Sequence, residues 1–122
     1  MVTIVRYSLL SCLIIVIAGS CAPLIVKGKL TETIEPSRIH ESCMELSPGQ
    51  IFEYSFGASR PLNFNVHYHE DHNVFYVISK DAVAEDQGEF QPEKELYYCL
   101  MWTNLTSQPV TFNYQYSVRK LQ

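Results

Sequence analysis

Glycine is scarce, at five in 122 residues, so the chain has no glycine-rich loop to cradle a phosphate. Positive charge is also short: nine Lys+Arg stand against thirteen Asp+Glu, for a formal charge of −4. That balance removes the basic footprint of nucleic-acid binding. No Ser/His/Asp order, paired-carboxylate motif or nucleotide loop stands out, and the chain reads as a non-enzyme needing no cofactor. No amphipathic helix is evident beyond the first residues. What is present is 47% hydrophobic residues, which excludes a disordered chain and a collagen-like repeat. The length fits one domain.

Residues 1–20 read as an export signal. Arg6 precedes an apolar run from Leu9 to Ala18, and small residues close it. The run is too short for a comfortable membrane span, which needs ~20 residues. Ala18-Gly19-Ser20-Cys21 resembles the lipobox of bacterial lipoproteins, with Ala18 where that family usually has Leu. The resemblance implies that Cys21 takes a diacylglycerol and becomes the N-terminus. Ala22 follows it rather than Asp, so nothing marks retention in an inner membrane. The expected location is the bacterial cell envelope, in the outer membrane facing the periplasm. Loss of Arg6 leaves eight cations against thirteen anions, so the mature charge is −5 and anchoring falls to the lipid.

Cysteine arithmetic follows. Cys12 leaves with the signal, Cys21 takes the lipid, and Cys43 and Cys99 remain as a pair that an oxidising compartment turns into one disulfide.

Residues 21–38 lack a sustained period and contain Pro23 and Pro36, so they read as a lipid anchor and linker. The domain is expected over 39–122. Val110–Val118 alternates strictly, with Val110, Phe112, Tyr114, Tyr116 and Val118 on one side. Leu62–His69 repeats the pattern, with His67 and His69 on its polar side. Val74–Ile78 follows as the second arm of a hairpin turning at Glu70-Asp71. Ile51–Phe56 and Leu96–Trp102 are further strands, and acidic Asp81–Glu93 reads as a loop with at most one edge strand. About seven short strands imply a single antiparallel β-sandwich or jelly roll.

The stretches Glu41–Ile51, Leu62–Val66, Tyr98-Cys99 with Asn104, and Val110–Phe112 resemble a GOLD domain. This is the lumenal β-sandwich of eukaryotic secretory-pathway cargo receptors. The resemblance implies a sandwich for binding proteins, with Cys43 and Cys99 in the positions of that family's disulfide. The coiled coil, membrane helix and sorting tail of the cargo receptors are not found here, so their trafficking role does not carry over.

Three chemical candidates emerge. His67, His69 and His72, with Glu70 beside them, could bind Zn²⁺ or Cu²⁺ if His72 lies opposite His69, making a periplasmic metal-binding protein the alternative function. The same residues also read as an ordinary polar hairpin end. Tyr97, Tyr98, Trp102, Tyr114 and Tyr116 could form a stacking platform, although their strand positions favour core packing. Asn104-Leu105-Thr106 is a glycosylation sequon, relevant only to a eukaryotic source. The resulting expectation is a non-enzymatic binding or accessory module, held at the membrane by its lipid and engaging a protein of the envelope.

Overall fold

The computed structural model describes residues 23–121. The expected signal segment 1–20 and Cys21, the expected lipidation site, lie outside the described residues. Six strands form one antiparallel sheet: β1 (Leu24–Ile34), β2 (Ile39–Leu46), β3 (Gln50–Glu70), β4 (Asn73–Phe90), β5 (Leu96–Thr103) and β6 (Val110–Lys120). The order is β1-β6-β3-β5-β2, and β4 runs along the other edge of β3.

The long strand β3 determines the architecture. Its first part, from Gln50 to Ala58, pairs with β6, and its second, from Asn63 to Tyr68, pairs with β5. Between them Ala58-Ser59-Arg60-Pro61 forms a corner where the β4 register slips: Gly57 faces Glu85, yet Leu62 faces Val83. Pro61 has no N–H, which suits an interrupted ladder. The sheet therefore curls over. One half is β1, β6, the start of β3 and the end of β4. The other is β2, β5, the end of β3 and the start of β4. The expected sandwich is thus made from a single folded sheet, with the all-β class as expected.

The core lies between the halves. Phe52, Tyr54 and Phe56 line one part of β3, and Leu62, Phe64 and Val66 the other. Trp102 on β5 is fully buried and meets Phe112 and Tyr114 on β6, at ring-centroid distances of 4.8 and 4.7 Å, together with Phe56 at 5.7 Å. The first two are tilted and the third is edge-on, and together they join the two leaves. Trp102, Tyr114 and Tyr98 are core residues, Tyr116 is half-buried, and only Tyr97 of the five aromatics is exposed.

Two segments differ from the sequence reading. Much of the expected linker is β1, which pairs with β6 from Leu24 to Ile34. Its inward positions include Gly28, where a Cβ would run into the Tyr116 ring, so glycine replaces the apolar residue that alternation calls for. The acidic 81–90 stretch is the edge strand that the sequence allowed rather than the loop it favoured: it continues β4, interrupted by a bulge near Ala82, whose φ is 52°. The Ala82 N–H donates to Asn63 Oδ1 at 3.0 Å. Edge position explains the acidity, because charge deters unwanted pairing there.

Asn104 is a structural hub rather than an available glycosylation site. It is fully buried, and its Nδ2 donates to the carbonyls of Ile34 and Gln108, both at 2.8 Å. Its Oδ1 accepts from Thr106 N–H and Oγ1–H. The side chain thereby ties the end of β1 to the β5–β6 loop.

Two buried polar groups near the centre of the core, the Trp102 indole N–H and the Tyr114 hydroxyl, have no hydrogen-bond partner among the described residues. An unsatisfied buried group of this kind costs ~1–3 kcal/mol. Tyr114→Phe is therefore expected to raise unfolding stability by about 1 kcal/mol in denaturant titration, whereas an unchanged or lower stability would mean the hydroxyl is satisfied.

Candidate binding face

Strand alternation gives each half an inner and an outer face, and the two outer faces differ. On the β1-β6 half, beyond the exposed apolar start of β1 at Leu24-Ile25-Val26, the outer residues are polar, and several bond to one another. Thr31 Oγ1–H donates to Asn113 Oδ1 at 2.7 Å, and the Thr33 and Thr111 hydroxyls lie 3.1 Å apart. An open depression of about 850 Å³ lies there, lined by residues that include Lys27, Lys29, Glu53 and Glu89.

The outer face of the β2-β5 half is built differently. One row crosses four strands as Tyr76, His67, Cys99 and Cys43. Cys43 and Cys99 stand directly opposite each other and form a disulfide, as expected, with a Cα separation of 4.0 Å. This is closer than the ~4.4–6.8 Å usual for disulfides, because the bond joins opposed residues of adjacent strands. It fastens the edge strand β2 to the body of the sheet. Around it Val74, Tyr76 and Tyr97 are exposed at 44%, 60% and 64%. Glu41 and Glu45 border the same face on β2.

His67 is the one histidine of the predicted cluster that is buried, at 4% exposed. Asn65 Oδ1 can only accept, so His67 Nδ1–H donates to it at 2.7 Å and fixes the tautomer. Burial holds the imidazole pKa below its ordinary value. The nearby Glu41 charge opposes that shift and His69 adds to it. His67 and His69 do share a face, with ring centroids 5.2 Å apart.

His72 does not join them. The pair flanking the turn is Glu70 and Asn73, so the two-residue turn is Asp71-His72 rather than Glu70-Asp71. Both turn residues have positive φ, 51° and 64°, as a type I′ hairpin requires. His69 faces Val74, not His72. Glu70 is taken by Lys94, whose Nζ lies 2.7 Å from its Oε1. Among the described residues, the group able to bring three metal-ligating atoms within 4.8 Å is Glu41, Cys43 and Cys99, and its two sulfurs are bonded to each other. The three-histidine Zn or Cu site is therefore not assembled in this register.

Sequence reasoning missed Tyr76 and Val74 as face residues, although the signal was present. Once His67 and His69 are assigned outward, their hairpin partners must point outward too.

No family model matches the chain, and neither does any curated protein. Among solved structures it is similar to Aeromonas hydrophila PliG, a periplasmic lysozyme inhibitor of g-type lysozyme. The TM-score is 0.60 at 15% identity, covering 76% of this chain and 86% of that one. It is also similar to the Yersinia pseudotuberculosis-derived mitogen, with a TM-score of 0.51 at 13% identity, over 80% of this chain and 86% of that one. At these identities the likeness establishes the all-β fold. The GOLD resemblance extends no further than that fold and its disulfide.

The buried imidazole sets a pH dependence. His67 binds its proton less readily when folded than when unfolded, where its pKa is ~6.5. Stability is therefore expected to fall as pH drops through about 6.5 and to level off below the folded value. Thermal unfolding of the wild type and His67→Gln across this range checks it. The His67-dependent slope should vanish in the variant, and identical slopes would contradict the assignment.

Proposed function

We propose that the protein is a lipid-anchored, extracytoplasmic, non-enzymatic module that binds another protein through the outer face of its β2-β5 half. The observation that carries this reading is the contrast between the outer faces. Past the Leu24–Val26 start of β1, one is polar and bonded to itself, while the other presents Val74, Tyr76 and Tyr97 to solvent around a disulfide-pinned centre. Exposed aromatics on a rigid, partly apolar surface rimmed by charge are what a protein interface uses as anchors. The acidic rim of Glu41 and Glu45 and the acidic chain as a whole favour a basic partner.

Address and fold support the same reading. The Ala18–Cys21 site and the Cys43–Cys99 bond both fit an exported chain. The similar PliG structure belongs to a periplasmic inhibitor of g-type lysozyme, which makes a lysozyme the first partner to test.

Binding to g-type lysozyme measured by calorimetry tests the proposal. Tyr97→Ala is expected to weaken binding by about tenfold or more, while Lys29→Ala on the polar face should leave it unchanged. Absence of binding, or equal loss from both variants, overturns the reading. The anchor has its own test in cell fractionation. Cys21→Ser should move the protein from the membrane to the soluble fraction, and retention on the membrane would contradict lipidation.

A further inference from the structure

Among the described residues three strands have open edges: β1, β2 and β4. Open edges invite pairing with another chain, and proteins usually blunt them with charge. β1 opens with the exposed, uncharged Leu24-Ile25-Val26, but its register shifts there and Lys27 and Lys29 follow; β2 carries Glu41 and Glu45, and the later part of β4 carries Lys80, Asp81, Glu85, Asp86 and Glu89. The first part of β4 is different. Asn73-Val-Phe-Tyr-Val-Ile-Ser79 has no charged residue, and Val74, Phe75, Tyr76 and Val77 are exposed at 44%, 41%, 60% and 39%. Both faces of the strand are open, not only the one that carries Tyr97.

The backbone there is set to accept a strand. In a two-residue hairpin closed by Glu70 and Asn73, hydrogen bonding to β3 alternates along β4. Asn73 and Phe75 bond inward, so Val74 and Tyr76 direct N–H and C=O toward the open edge. The bulge at Val77, where the register passes from Tyr76–His67 to Ile78–Val66, lies just beyond this stretch.

We propose that this edge pairs with the same edge of a second copy, antiparallel about Phe75, so that two curled sheets join into one. The inference goes beyond the binding reading above and needs no other partner. Self-pairing in this register sets Val74 opposite the second copy's Tyr76, and Tyr76 opposite its Val74. Cross-strand aromatic and β-branched pairs of this kind are favourable, and no like charges face each other. Phe75 meets its own equivalent. An aromatic ladder already leads to that point: Tyr98 contacts Tyr68 at 5.4 Å, and Tyr68 stacks on Phe75 at 5.2 Å, where the ladder ends at solvent.

Sedimentation velocity of the full chain, exported, processed and kept in mild detergent, tests the proposal. The wild type is expected to form a discrete dimer, and the Val74→Lys, Tyr76→Lys double variant to raise the dissociation constant on the order of tenfold or more while keeping its circular dichroism. Phe75→Cys offers a second measurement, read from cross-linking rather than from affinity. Its Cα should lie ~4.5 Å from its equivalent in a non-hydrogen-bonded pair, close enough for an intermolecular disulfide. Glu89→Cys, further along β4, should not cross-link. A monomer at every concentration, open-ended aggregates without a discrete dimer, a dimer indifferent to the double variant, or equal cross-linking at 75 and 89 would each overturn the proposal. So would pairing of this edge with a strand of a different protein in preference to its own copy.

Discussion

The burial of Trp102 against Phe112 and Tyr114 is the contact on which the rest depends. Before closure, a flat six-stranded sheet would leave one apolar face wet along its whole length. Folding the halves together at the Ala58–Pro61 corner buries both inner faces in one step. Because side chains alternate, the same closure decides what is displayed outside. Burying Phe64, Val66 and Leu100 inward obliges His67, His69 and Cys99 to face out. The disulfide then fixes β2, an edge strand, to the half whose outer face it crosses.

Much of this was legible in the sequence, for a physical reason. Where a strand has one buried and one solvated face, period two is written directly into it, as in Val110–Val118 and Leu62–His69. The reading failed where another constraint overrode that period. In β1 a buried position is filled by the Tyr116 ring reaching over Gly28, so the inward residue is the smallest one rather than an apolar one. In the later part of β4, edge protection puts charge where a central strand would have none. The turn was misplaced by one residue because Asp71 and His72 adopt the left-handed conformation that glycine or asparagine more often supplies. That slip removed His72 from the proposed metal site.

The candidate face was partly legible. The Cys43–Cys99 pairing and the common side of His67 and His69 follow from counting and alternation. The partners supplied by β4, Val74 and Tyr76, needed the hairpin register, which local sequence did not determine. Asn104 shows the converse limit. Its sequon invited a surface reading, but four hydrogen bonds to its own fold use both ends of the amide.

The central claim is that the two outer faces do different work, one solvated and one engaged by a protein. Mapping a bound partner's footprint by amide chemical-shift perturbation tests it most directly. With g-type lysozyme added, the account predicts the largest shifts around Val74, His67, Tyr97 and Cys99, and none around Lys27, Gln115 and Ser117. Shifts concentrated in the Lys27–Glu89 depression would contradict it.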